Sequence, residues 1–204
     1  MARRIWISFV VIGLVGLCAD VIYSVSVDQK LRPFRSDLPV VSEPFTSTPF
    51  TLYSGYHYRL AAGGDGSVPY ADCLLGAGGQ SRADDCKQHP SSLLVAWSLT
   101  DDLDHVLASG VSPGSQPTLE YGQHIEIDLG YLSVSQPTSV RLSLRFRRDP
   151  ASLAPLHAYL VLDAPDALLA YGVREVVVGA AFLVLACYGG GKLLVTRWRV
   201  QRFE

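Results

Sequence analysis

The sequence contains no asparagine, so it offers no acceptor for N-linked glycosylation. Lysine is scarce: three lysines stand beside 14 arginines, and no basic run is longer than two residues. A protein that follows nucleic-acid phosphates needs a clustered basic stripe, so nucleic acid is set aside as a partner. Spaced metal ligands are missing as well, with no C-x-x-C and no H-x-x-x-H. No metal and no cofactor are therefore expected. The preference for Arg over Lys, with abundant Ala, Leu and Gly, points to a GC-rich bacterial genome.

What is present is apolar. Of 204 residues 49% are hydrophobic, and the formal net charge is -2. That balance is too hydrophobic and too weakly charged for a disordered chain. Much of the apolar content lies in two runs. Residues 5–27 read IWISFVVIGLVGLCADVIYSVSV, with Asp20 as the single charge and Arg3-Arg4 immediately before. About 20 such residues cross the ~30 Å hydrocarbon core of a bilayer. A cleaved signal peptide would need a shorter run and an earlier pair of small residues, so residues 1–27 are expected to be an uncleaved signal anchor. Asp20 is expected at the outer interface.

The second run, VVVGAAFLVLACYGGGKLLV over 176–195, has Arg174-Glu175 before it and Arg197, Arg199 and Arg202 after it. Lys192 can extend toward the headgroups. Basic residues at both termini place both ends in the cytoplasm. Arg3, Arg4, Arg174, Lys192, Arg197 and Arg199 are thus expected at membrane interfaces. The implied organisation is a bacterial inner-membrane protein: anchor 1–27, extended stalk 28–49, periplasmic domain 50–170, second span 171–195 and tail 196–204.

The exported middle has the period of strands. Phe50–Leu60 alternates around a Ser54-Gly55 break, and Leu93, Val95, Trp97 and Leu99 share a face. Ile125, Ile127 and Leu129 alternate with His124, Glu126 and Asp128. Val140, Leu142, Leu144 and Phe146 alternate with Arg141, Ser143, Arg145 and Arg147. Residues 158–163 (AYLVLD) complete the set. Short strands between Gly, Pro and Ser linkers predict a mainly β fold, an antiparallel β-sandwich or jelly roll flanked by two transmembrane helices. Cys73 and Cys86 fall in this part, and an oxidising compartment predicts a disulfide between them. The four prolines of 28–49 suggest a stalk outside the sheets.

Chemistry is sparse. Gly110-Val111-Ser112-Pro113-Gly114 matches the nucleophile-elbow pattern, but Pro113 lacks the N–H that the oxyanion hole requires, so a turn is expected. Asp101, Asp102 and Asp104 are read as a solvated turn rather than a calcium loop. Five scattered histidines show no ligand spacing. The most suggestive feature is the row Arg141, Arg145 and Arg147, with Arg148 beyond it, since guanidinium groups dock carboxylates and phosphates bidentately. Glu126 and Asp128, on the wet face of the preceding strand, are expected to neutralise part of that row.

The segments FTLYSGYHYRL, LLVAWSLTDD, HIEIDLG and SVRLSLRFRRDPASLAPLHAYLVLD resemble bacterial proteins whose β-sandwich sits between two membrane helices. Some of these resemble immunity proteins encoded beside secreted antibacterial effectors. The resemblance implies a non-enzymatic, membrane-anchored module that binds a protein partner, a toxin among the candidates. It assigns no site residue. The competing expectations are a structural or assembly subunit of an envelope complex and, behind both, an envelope hydrolase. Membrane lipid is a partner in each case.

Overall fold

The computed structural model describes residues 2–40, 43–76, 86–87, 91–112, 118–121 and 123–201. It divides into two units, one of residues 1–29 and 166–204, the other of residues 30–165.

The first unit pairs helix α1 (Ala2–Leu31) with the last helix, α3 (Pro165–Gln201). Within them, Ile5–Leu31 and Pro165–Lys192, 27 and 28 residues, are each long and apolar enough to cross a membrane. The two terminal helices are accordingly candidate membrane spans. Small residues let the helices approach closely. A Cβ on Gly13 would stand 2.8 Å from the Ala186 Cβ, one on Gly16 2.3 Å from the Phe182 ring, and one on Gly189 3.0 Å from the Phe9 Cβ. These pairs run in opposite directions along the two helices, as they must in an antiparallel pair. Trp6 meets Tyr188 edge to face at 5.6 Å. Asp20 lies beside Gly179, where a Cβ would stand in ordinary contact with the carboxylate at 3.8 Å.

The second unit is built from ten strands in two antiparallel sheets among the described residues. Sheet A has the order β1 (Phe34–Asp37), β10 (Tyr159–Asp163), β4 (Tyr58–Asp65), β8 (His124–Leu132), β7 (Thr118–Tyr121). In sheet B, β9 (Thr138–Phe146) pairs on one side with β5 (Val95–Asp101), which pairs in turn with β6 (Val106–Val111). On its other side β9 meets two short strands end to end, β2 (Phe45–Thr46) and β3 (Phe50–Leu52). A five-residue helix, α2 (Ala71–Leu75), and a 3-10 helix (Pro150–Leu156) complete the unit.

The core follows from the alternation. Val95, Trp97, Leu99, Val140, Leu142, Leu144, Ile125, Ile127, Leu160 and Leu162 are all buried. Each contributes about 1.5–3 kcal/mol by leaving water. Trp97 of β5 reaches across to sheet A: a Cβ on Gly130 of β8 would fall 2.4 Å from its ring, and one on Gly110 of β6 2.8 Å from its Nε1. Only glycine fits at these two positions.

Three boundaries differ from those expected. Segment 28–49 is not a free stalk. Phe34–Asp37 pairs residue by residue with Leu162–Tyr159, and Phe45 pairs with Leu144. The prolines space two short edge strands rather than preventing them, because an edge strand leaves one row of backbone groups unpaired. Helix α1 runs on to Leu31, past Val27, and α3 begins at Pro165, before residue 171. Pro165 opens a helix well, since its lost N–H belongs to the unbonded first turn.

Both ends of this unit meet. The Ala164 N–H donates to the Leu31 carbonyl at 2.9 Å. The Tyr58 hydroxyl donates to the Lys30 carbonyl at 2.9 Å and accepts from the Tyr53 N–H at 3.0 Å. Phe34 and Phe50 stack there at 4.9 Å. Since Phe50 pairs with Val140, β9 starts near this end and runs away from it, carrying Arg145 and Arg147 toward the opposite end.

Candidate functional site

The outer face of sheet B has a regular cross-strand composition set by its register. Arg141 of β9 is paired with Thr100 of β5, which is paired with Val106 of β6. In the next outward-facing row stand Ser143, Ser98 and Ser109, and in the third Arg145, Ala96 and Val111. Three parallel lines result: Arg141 and Arg145 with Ser143 between them on β9, three small side chains on β5, and Val106 and Val111 with Ser109 between them on β6. Thr100, Ser98 and Ala96 are half-buried. Val106 and Val111 are 61% and 45% exposed.

Arg141 and Arg145 stand on β9 as the alternation predicts, and Arg147 lies one residue past its end, but the expected neutralisation of the row does not occur. Glu126 and Asp128 lie on β8, in the other sheet, because the β8–β9 connection crosses between sheets instead of forming a hairpin. Arg141 has a different partner: its Nη2 is 3.7 Å from the Asp102 carboxylate, which also accepts from the Ser139 hydroxyl. Arg145 and Arg147 are exposed, and among the described residues neither has a carboxylate at ion-pair distance. Arg148 donates to the Ser91 carbonyl at 3.3 Å.

Glu126 and Asp128 instead surround Arg59 of β4, one of the polar positions in the Phe50–Leu60 alternation. Arg59 keeps 3% of its surface exposed. Its Nε and Nη2 hold the two oxygens of Asp163 at 3.1 Å each, Nη2 reaches Glu126 at 2.7 Å, and Nη1 stands 3.4 Å from Asp128. The hydroxyl of Tyr131 donates to Asp128, and that of Tyr159 to Glu126 at 2.9 Å. Tyr159 lies over Gly63, and Arg35 stacks on its ring at 4.9 Å. Burial weakens a guanidinium's hold on its proton, but the bond to Asp163 and the three nearby charges outweigh it, so Arg59 binds its proton more tightly than usual. The network ties β10, β4 and β8 together. One signal for it lies in the sequence: Ala61, Ala62, Gly63 and Gly64 leave the strand after Arg59 bare, so neighbouring side chains can fold over it.

Burial, with the bond to Glu126 and its charge, pushes the Tyr159 phenol up to about 12, and Tyr58 is raised as well, chiefly by burial. A raised acid favours the protonated, folded form. Its stabilisation is complete below pH ~10, the ordinary tyrosine value, and is lost as pH rises through 12. Urea midpoints measured from pH 9 to 12 should therefore fall, and Tyr159→Phe should flatten part of that fall. An unchanged slope in the variant would remove Tyr159 from the explanation.

The remaining expected sites are placed as follows. Cys73 and Cys86 form a disulfide with Cα atoms 5.1 Å apart. Asp101 builds a tight turn by accepting from the N–H groups of Leu103 and His105 at 2.9 and 2.8 Å. Asp104 adopts φ 61 in that turn. No group of three His, Cys, Asp or Glu residues gathers at metal-binding distance among the described residues. Ser112 is 1% exposed and its N–H bonds to the Val95 carbonyl, so its hydroxyl is not presented as an elbow serine would be. Pro113 and Gly114 lie outside the described residues. Arg174 stacks on Tyr23 at 4.5 Å and reaches Glu175 at 3.2 Å. The Lys192 ammonium lies 5.5 Å from the Tyr188 ring centroid. Arg3, Arg4, Arg197 and Arg199 belong to α1 and α3, and their side chains lie outside the described residues.

No protein-family model matches the chain, and no curated protein matches it. Among solved structures it is similar to a crystal structure of a protein from Sulfurospirillum deleyianum, with 6% identity and a TM-score of 0.44 over 65% of this chain and 96% of that one.

Proposed function

We propose that the chain is a non-enzymatic protein-binding module, a β-sandwich anchored in a bacterial inner membrane with its two-sheet unit in the periplasm and both termini in the cytoplasm. The observation that carries this reading is the outer face of sheet B. It is a broad surface of exposed and half-buried residues on which Arg145 and Arg147 have no carboxylate partner among the described residues. Such a face suits a macromolecule better than a small molecule, which would need a concave site. The disulfide supports the oxidising compartment, and the basic termini support the orientation. A toxin acting in the periplasm is the partner class that the sequence resemblance implies.

The test is affinity capture of the full-length protein from detergent-solubilised membranes, beside Arg145→Glu/Arg147→Glu and a version in which residues 32–164 are replaced by a short Gly/Ser linker. A partner held by the full-length protein and reduced tenfold or more by the charge reversal supports the module. A partner retained by α1 and α3 alone would transfer the function to the helices and make the chain an assembly subunit.

A further inference from the structure

We infer that the three lines on sheet B form a trough for an amphipathic helix of the partner, one that carries carboxylates along one flank and apolar residues along the other. This inference rests on the protein-binding reading and names the chemistry of the partner.

The width fits. The arginine line on β9 and the valine line on β6 are two strand spacings apart, or ~10 Å, and an α-helix with its side chains is ~10–12 Å across. The floor fits too, because β5 presents Thr100, Ser98 and Ala96 between the walls, and their small side chains let a helix settle close to the sheet. Charge selects the occupant's sign. Arg141 already has Asp102 at 3.7 Å, whereas Arg145 and Arg147 are without carboxylates among the described residues. Arg147, one residue past β9, still donates its N–H to the Leu94 carbonyl at 2.8 Å. Two residues along a strand are ~6.8 Å apart, close to the ~6 Å between positions i and i+4 of a helix, so adjacent carboxylates on one helix flank can meet Arg145 and Arg147 together. The opposite wall carries no charge: β6 reads VLASGV, with Val106, Leu107 and Val111 all exposed. A wall with arginines facing a wall with valines, each with one serine between, across a small-residue floor is the complement of an acidic amphipathic helix.

The test is site-specific photo-crosslinking of the full-length protein in its own membrane. A benzophenone amino acid is placed at Ser109, exposed on the apolar wall, or at Asp37, exposed on the β1 edge of sheet A. The expected result is an adduct from Ser109 to one protein segment with Asp or Glu at i and i+4 and apolar residues on the adjoining face. Its yield should fall tenfold or more with Arg145→Glu/Arg147→Glu, and similarly with Ser98→Trp, which fills the floor. Adducts from Ser109 to lipid, to a second copy of this chain or to a basic or non-helical segment would overturn the trough, as would a yield indifferent to charge reversal. A protein adduct from Asp37 alone would overturn the trough while leaving the binding module standing. The absence of protein adducts from both positions would remove both.

Discussion

Arg59→Met should cost the two-sheet unit about 3–5 kcal/mol and lower its Tm by roughly 10–20 °C. The reason is what remains behind. Arg59 is 3% exposed and Asp128 3%, and the side chain of Glu126 is 13% exposed. Removing the guanidinium leaves three carboxylates close together with little water to solvate them. The effect is therefore the exposure of an uncompensated charge cluster, more than the loss of a bond. That mechanism makes a second measurement decisive. In the Arg59→Met background, Asp163→Asn should recover part of the lost stability, although the same change in the native protein should destabilise it. Thermal unfolding of the four proteins forms a double-mutant cycle. Additive losses would show that the residues act separately, and the network reading would fail.

Removing the disulfide by Cys73→Ser/Cys86→Ser should cost about 3 kcal/mol, the chain-entropy value for a short closed loop. The bridge spans 13 residues of sequence and holds α2 in place. Five residues are far too few for a helix to persist by itself. Tertiary contacts hold this one: Ala71, Cys73 and Leu75 are buried, and the Leu74 carbonyl accepts from the N–H groups of Ser92 and Leu93 at 3.0 and 3.2 Å. At each end the backbone turns left-handed, at Tyr70 with φ 61 and at Gly76 with φ 90. Tyrosine at such a φ is strained, so the surroundings must hold it. Loss of the disulfide should accordingly show first as rapid hydrogen exchange at Leu74 and Gly76. A midpoint and exchange rates equal to those of the native protein would mean that packing alone fixes α2.

The parts of the fold that were legible were those where one physical signal acted alone. Length and apolarity marked α1 and α3. Strict alternation marked β5, β9 and the first half of β8, because each has one face against the other sheet, while β10, buried on both faces, showed as a short apolar run. The strands that escaped notice lie at edges. Phe34–Asp37 and Phe45–Thr46 are too short for a period to show, and prolines surround them. In β6 an irregularity near Leu107 breaks the alternation, with Leu99 paired to Ala108 and Thr100 to Val106. The candidate surface was half legible. The arginine row follows from alternation, but the valine line depends on β6 lying next to β5, and Arg145's freedom depends on β8 and β9 belonging to different sheets. Neighbours in sequence are usually neighbours in space, and here that expectation misassigned Glu126 and Asp128. The Arg59 cluster unites residues up to 104 positions apart, and periodicity within one strand carries no information about such a contact.

The bond from Ala164 to Leu31 gives the two-sheet unit a mechanical property. Its first and last strands, β1 and β10, are antiparallel neighbours and leave from the same end. Tension applied through the two flanking helices would pull Leu31 and Ala164 apart and then load the pairs Phe34–Leu162, Arg35–Val161 and Ser36–Leu160 one after another. Hydrogen bonds loaded in succession yield like a zip, at far lower force than the same bonds loaded together in shear. The unit would open from the side where it is tethered, while sheet B, including the face with Arg145 and Val111, would stay assembled until the zip had run through β1.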